Sequence, residues 1–157
     1  MGYVFAALAF VHLGKKGSWI FGTFCFAAYI LVFVVFGNMD FDPQGNVAMT
    51  IDKAVLGSHR DGVTWNPDGS WTWNEGYQYT WILSSLNFIV TVMLGCYAGT
   101  ILKDASKTKY LRGLLLAATG ISLVVLGLAL GSWFPIIKKI WSSSMTLYSG
   151  GICCIAL

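Results

Sequence analysis

The chain has 157 residues, of which 56% are apolar and only 11% charged, with a net charge of +3. Soluble domains carry about 25% charged residues, so a deficit this large excludes an ordinary water-facing globule. The length suits one domain, and the small, scattered positive charge excludes a nucleic-acid-binding surface.

A bilayer core needs about 20 apolar residues in a helix. Residues 3–13 are apolar but too short for that, so they predict a partial span. Residues 18–36 are uncharged, with Trp19 as an aromatic anchor at one end, and predict the first full span. The connection 37–79 is long, yet Trp65, Trp71, Trp73, Tyr77 and Tyr79 argue against disorder. It is expected to fold as a cap. A short helix is predicted over 47–56, with Ile51, Val55 and Leu56 as its apolar stripe. Asn66-Pro67-Asp68-Gly69 predicts a tight turn, because proline presets φ and glycine accepts the left-handed position.

Residues 80–102, 113–134 and 140–157 predict three further spans, which makes the fold class all-α: a polytopic transmembrane bundle of about four full spans plus a partial one. The first and last apolar stretches both read as cut, so the single domain 1–157 is expected to be a piece of a longer protein. Thr80, Ser84, Asn87, Thr91 and Gly95 form one helical stripe, and Gly113, Gly120 and Gly127 recur every seven residues. Such small and weakly polar stripes predict close helix packing rather than a substrate path. Asn87 stands apart, because its amide must find partners in a low-dielectric setting.

Sidedness follows from the positive-inside rule. The 14–17 and 103–112 turns hold Lys15, Lys16, Lys103, Lys107, Lys109 and Arg112 against Asp104 alone, which assigns them to the cytoplasm. The 37–79 loop and the 131–139 turn then share the outer face of an inner membrane.

No phosphate-binding glycine loop, serine-nucleophile elbow or zinc motif is present. Cys25, Cys96, Cys153 and Cys154 lie in apolar runs without metal-ligand spacing and read as buried small hydrophobes. The first residues lack a signal-peptide pattern. His12 reads as interfacial and His59 as a loop histidine in a local polar network, although an imidazole near Asp61 has the chemistry of a base. The segment 133–144 is more unusual, with Pro135, Lys138, Lys139, Trp141 and a serine run opening the next helix. Lysines on an outer turn run against the usual charge bias, which points to an anionic partner: a ligand, a headgroup or a loop acid.

Three stretches carry a family resemblance. Gly45-Asn46-Val47-Ala48 with Ile51-Asp52-Lys53 and Leu56-Gly57 looks like G-N-L-A-x-x-I-D-R-x-x-L-G. Asn66-Pro67-Asp68-Gly69, then Ser84-Ser85-Leu86 and Leu94-Gly95 with Ala98-Gly99, is similar to D-P-E-G followed by S-T-L and L-L-G-x-x-A-G, with extra residues after the turn. Residues 134–144 look like F-P-I-N-K-K-L-W-T-S-S, the most specific of the three. Together they resemble the membrane acetyltransferases related to heparan-α-glucosaminide N-acetyltransferase, particularly the uncharacterised bacterial branch. The chain departs from that pattern at Ile137, where the family has asparagine. The family's catalytic histidine lies in an earlier segment, and neither His12 nor His59 matches its motif.

The resemblance implies transfer of an acetyl group from cytoplasmic acetyl-CoA to a sugar on the far side, without a metal. This chain would supply the C-terminal half, inactive alone and partnered by missing N-terminal helices and the lipid bilayer. Lys138, Lys139, Trp141 and Ser143, with Asn66 and Asp68, are the expected substrate-binding residues: the lysines for an anionic group, the aromatic for stacking on a glycan, the turn for shaping the cap. A transporter or flippase-like component and a structural membrane subunit are the rival expectations.

Overall fold

A computed structural model describes residues 2–74 and 76–157. They form six α-helices: α1 (Gly2–His12), α2 (Gly14–Val35), α3 (Val47–Leu56), α4 (Ser84–Lys103), α5 (Lys109–Gly131) and α6 (Ser143–Ala156). Three of these, α2, α4 and α5, are long and apolar enough to cross a membrane. Their outward faces carry large exposed apolar residues, such as Ile20, Phe24 and Leu31 on α2 and Ile121, Val125 and Leu128 on α5. Water would not tolerate so continuous an apolar surface, whereas lipid matches it. The chain is therefore a multi-pass helical membrane protein.

The helix ends follow local chemistry. Thr108 caps α5 by accepting from the Leu111 amide, and Ser142 caps α6 by accepting from that of Met145. The α4–α5 connection is tied from both sides. Asp104 accepts from the Ser106 amide at 3.0 Å, and the Arg112 guanidinium donates to the Leu102 carbonyl at 2.6 Å near the end of α4.

Several boundaries differ from the sequence expectation. The 14–17 segment is not a turn: the chain breaks at Leu13, and Lys15 and Lys16 lie in the first turn of α2. The Ser18 hydroxyl reaches back to the Ala9 carbonyl at 3.1 Å, which holds α1 against α2. The stretch expected to be helical from 140 starts at Ser143, because Trp141 takes a left-handed backbone (φ 48°) that no α-helix accommodates.

Helix α3 falls where it was expected, but its buried face is Ala48, Met49 and Asp52, while Val55 is 68% exposed. The tight turn at 66–69 closes a small antiparallel hairpin, β1 (Val63–Trp65) with β2 (Trp71–Trp73), so the chain is not purely α.

Three buried clusters hold the elements together. Ala6, Ala9, Cys25, Ile89 and Met93 join α1, α2 and α4. Ala98, Leu116 and Cys154 join α4, α5 and α6. Tyr29, Phe33, Ala48, Leu83, Phe134 and Ile140 join the end of α2 to α3 and to the turn before α6. Phe41 stacks on Phe33 with ring centroids 5.2 Å apart and meets Phe134 edge-on at 4.8 Å.

The α5–α6 contact is set by glycine. A Cβ at Gly120 would lie 2.7 Å from the Gly151 carbonyl oxygen, and one at Gly127 would lie 2.7 Å from the Tyr148 amide nitrogen. These are main-chain atoms that cannot swing aside, as expected for helices in close approach. Gly113 continues the seven-residue spacing but has open space around its Cβ position. Gly127→Leu should therefore destabilise the helix pair by about 1–3 kcal/mol or more, while Gly113→Leu should have little effect. Thermal unfolding of the two variants in detergent tests this; equal midpoints would contradict it.

Candidate functional site

The segment 134–144 is built as a bend whose polar main chain is claimed by neighbouring helices. With Trp141 left-handed, the carbonyls of residues 139–141 cannot join a helical ladder. Each finds a donor elsewhere: Lys139 from the Thr80 amide at 3.2 Å, Ile140 from the Tyr29 hydroxyl at 2.7 Å and the Ser84 hydroxyl at 2.8 Å, and Trp141 from the Asn87 side-chain amide at 2.8 Å. The Ser142 hydroxyl accepts from the Ile137 and Met145 amides at 3.0 and 3.3 Å, and the Ser144 hydroxyl donates to the Pro135 carbonyl at 2.9 Å. The bend is thus a rigid platform, and the polar stripe of α4 is what fixes it.

The expected site residues occupy unlike places on this platform. Lys138 and Lys139 are exposed, and the Lys139 ammonium donates to the Gln78 side-chain carbonyl. Trp141 is half-buried; its indole N–H donates to the Thr91 hydroxyl at 3.1 Å and its ring meets Phe88 at 4.9 Å. Ser143 is fully buried and faces the Asn87 side chain at 3.3–3.5 Å.

Asn66 and Asp68 sit apart, at the hairpin tip. The Asn66 amide donates to the Ser70 carbonyl and its side chain to the Ser70 hydroxyl, at 2.8 and 2.9 Å. Asp68 accepts from the Ser70 hydroxyl at 2.6 Å and from its amide at 2.9 Å, bonds that hold its carboxyl below the usual range. Among the described residues, no hydrogen bond or ion pair links this tip to Lys138 or Lys139.

Two features of the 37–79 loop had no counterpart in the sequence reading. Asp52 is completely buried and accepts from the amides of Trp81 and Ile82 at 2.7 and 3.0 Å, just ahead of α4. Burial raises its carboxyl above the ordinary range, opposed by those two amides and by the Arg60 charge. Arg60 is 3% exposed, with its guanidinium carbon 5.3 Å from the Trp73 ring centroid and 5.4 Å from that of Tyr77. It donates to the Tyr79 carbonyl at 3.1 Å and the Met49 sulfur at 2.7 Å, while its Nε meets no acceptor among the described residues. The signal that could have found Asp52 is an acidic residue one helical turn before Leu56 of the predicted apolar stripe.

Around these residues lie two recesses. A groove of about 630 Å³ is lined by Lys53, Arg60, Trp71, Trp73, Asn74 and Tyr77, a mixture of cations, ring faces and amide groups. A second, of about 340 Å³, brings His59 and Asp61 together with Trp81, Ser85 and Phe88 at the start of α4. The first can hold a polar ring by stacking and hydrogen bonding, and the second contains an imidazole able to move a proton. Among the described residues no cluster of three metal-ligating side chains occurs. No protein-family model, curated protein or solved structure matches the chain.

Because Tyr29 and Ser84 donate to the same Ile140 carbonyl, either can be lost while the oxygen stays satisfied. Tyr29→Phe and Ser84→Ala should each cost about 1 kcal/mol, and the double variant should cost about 1 kcal/mol more than their sum. A double-mutant cycle by denaturant unfolding in detergent measures the excess; strict additivity would contradict a shared acceptor.

Proposed function

We propose that the chain is part of a membrane-bound acyltransferase that moves an acetyl group from cytoplasmic acetyl-CoA to a sugar on the outer face. The observation that carries this reading is the convergence of the three stretches on which the acetyltransferase resemblance rests. Asp52 of the first holds the amides of Trp81 and Ile82, leading into α4. Ser84 of the second, followed by Asn87, holds the Ile140 and Trp141 carbonyls of the third. Segments far apart in sequence thus form one polar unit at one end of the bundle, as a shared site requires.

In this reading α2, α4 and α5 cross the inner membrane, with α6 as a fourth span and α1 as a partial one. The 37–79 loop and the 134–144 bend lie outside, and the basic ends near Lys15 and Lys103 lie in the cytoplasm. Lys138 and Lys139 hold an anionic group of the acceptor. The exposed ring of Trp71, beside Lys53 and Arg60, is better placed than the half-buried Trp141 to stack on a sugar. Transfer requires the further helices of the complete enzyme, which supply the catalytic histidine.

Membranes containing the complete enzyme should bind acetyl-CoA and acetylate a glycan acceptor. Lys138→Ala with Lys139→Ala should lower transfer by about tenfold, the worth of one charge-assisted hydrogen bond, with folded protein unchanged because both side chains are exposed. Failure to bind acetyl-CoA or to acetylate any glycan would sink the enzyme reading. Vesicle uptake of labelled sugar without acetylation would favour a transporter.

A further inference from the structure

The end of the bundle away from the 134–144 bend carries a different surface. A groove of about 940 Å³ lies between the end of α1, the start of α2, the end of α4 and the first turns of α5. Phe10, Tyr97, Ile101 and Leu115 form its apolar wall, and Lys15, Lys103 and Lys107 its charged part. Asp104 also lines it and pairs with Lys107. The hydrogen bonds from Lys107 and Ser106 hold that carboxyl down at about 2, so it stays ionised and neutralises Lys107 alone. Lys15 and Lys103 are exposed and have no carboxylate within ion-pair distance among the described residues.

We propose that this groove binds an acidic phospholipid, with the headgroup phosphate between Lys15 and Lys103 and the upper acyl chain along Phe10, Ile101 and Leu115. The charge pattern selects the occupant. Two lysines without a carboxylate partner among the described residues attract an anion, and the apolar wall beside them suits a hydrocarbon chain joined to it. The walls belong largely to α4, with Lys15 from α2 and Leu115 from α5, all three helices long and apolar enough to cross a bilayer, and the lysines stand at helix ends, where headgroups lie. Trp19 meets Tyr97 edge-on at 5.5 Å near the same end, as aromatic residues do at the depth of the interface. Basic recesses between helices on the cytoplasmic side are a physical match for anionic headgroups. This inference rests on the chain being embedded in a membrane and not on acyl transfer.

The test is native mass spectrometry of the full chain, purified in detergent and mixed with equimolar phosphatidylglycerol and phosphatidylcholine. Phosphatidylglycerol should be retained in clear excess. Lys15→Gln with Lys103→Gln should reduce that excess by about fivefold per lysine, while Lys15→Arg with Lys103→Arg, and Lys109→Gln at an exposed lysine outside the groove, should keep it. Equal retention of the two lipids, or an undiminished excess in the glutamine variant, would overturn the site. Displacement of the lipid by millimolar inorganic pyrophosphate would overturn it too, because the groove would then read a soluble phosphate. If the chain partitions into water without detergent, the membrane reading itself fails; a chain that stays in the membrane without lipid preference fails only here.

Discussion

A main-chain carbonyl buried inside the protein has no water to turn to, so a bend there persists only where side chains supply the missing donors. The Ile140 and Trp141 carbonyls are in that position, and Tyr29, Ser84 and Asn87 supply the donors. The consequences run outward from these bonds. Tyr29 ties the bend to α2, and Ser84 and Asn87 tie it to α4. The bend in turn sets where α6 starts, and so which face of α6 meets Gly120 and Gly127 of α5. Each donor is buried: truncating Asn87 strands the Trp141 carbonyl, whereas the Ile140 carbonyl is left unpaired only when Tyr29 and Ser84 are both lost.

The two ends of the bundle are held by different physics. At the loop end, ring packing among Tyr29, Phe33, Phe41 and Phe134 surrounds the polar network, and the buried Asp52 carboxylate fixes the entry into α4. Arg60 lies against the rings of Trp73 and Tyr77 and donates to the Tyr79 carbonyl, while the buried Asp52 is held by the Trp81 and Ile82 amides, so each buried charge is compensated chiefly by its own neighbours. The other end is tied by the Ser18 bond, the Thr108 and Arg112 caps, the Trp19–Tyr97 ring pair and a surface ion pair, and it opens into a groove. Long-range buried hydrogen bonds are concentrated where the proposed chemistry is, and the groove with Lys15 and Lys103 lies where lipid is proposed to bind.

What was legible in the sequence was what a bilayer or a local cap dictates. Uninterrupted apolar runs located α2, α4 and α5, because membrane crossing imposes a length. Helix α3 was visible in full because Asn46 caps it, accepting from the Met49 amide, and Gly57 ends it in a positive-φ conformation. The need of Asn87 for partners was legible as well, though the identity of the Trp141 carbonyl was not, since it lies 54 residues away. The bend at Trp141 was hidden because a bulky residue gives no sign that it will adopt positive φ. Lys15 and Lys16 read as a loop because charge beside glycine marks turns, whereas here Gly14 takes positive φ and the helix restarts at once. The grouping of Lys53 and Arg60 with Trp73 and Tyr77 depends on a hairpin of three-residue strands, too short for any periodicity.

The placement of Ile137 bears on the chemistry of the bend. Its amide donates to the Ser142 hydroxyl and its side chain packs against the aromatic cluster of Tyr29, Phe33 and Phe134. An asparagine there would bring an amide against apolar neighbours, where it needs hydrogen-bond partners of its own. Isoleucine keeps the main-chain geometry that Ser142 requires and removes that need. The serines at 142, 143 and 144 are buried within the fold, which leaves Lys138 and Lys139 as the polar side chains the bend presents outward. Recognition by this bend, on the proposed reading, therefore acts through charge at two flexible lysines rather than through the directional hydrogen bonds of an amide. Such a surface selects an anionic group strongly and discriminates little among the shapes that carry it, so the selection of one acceptor falls to the ring faces and amides of the neighbouring loop groove.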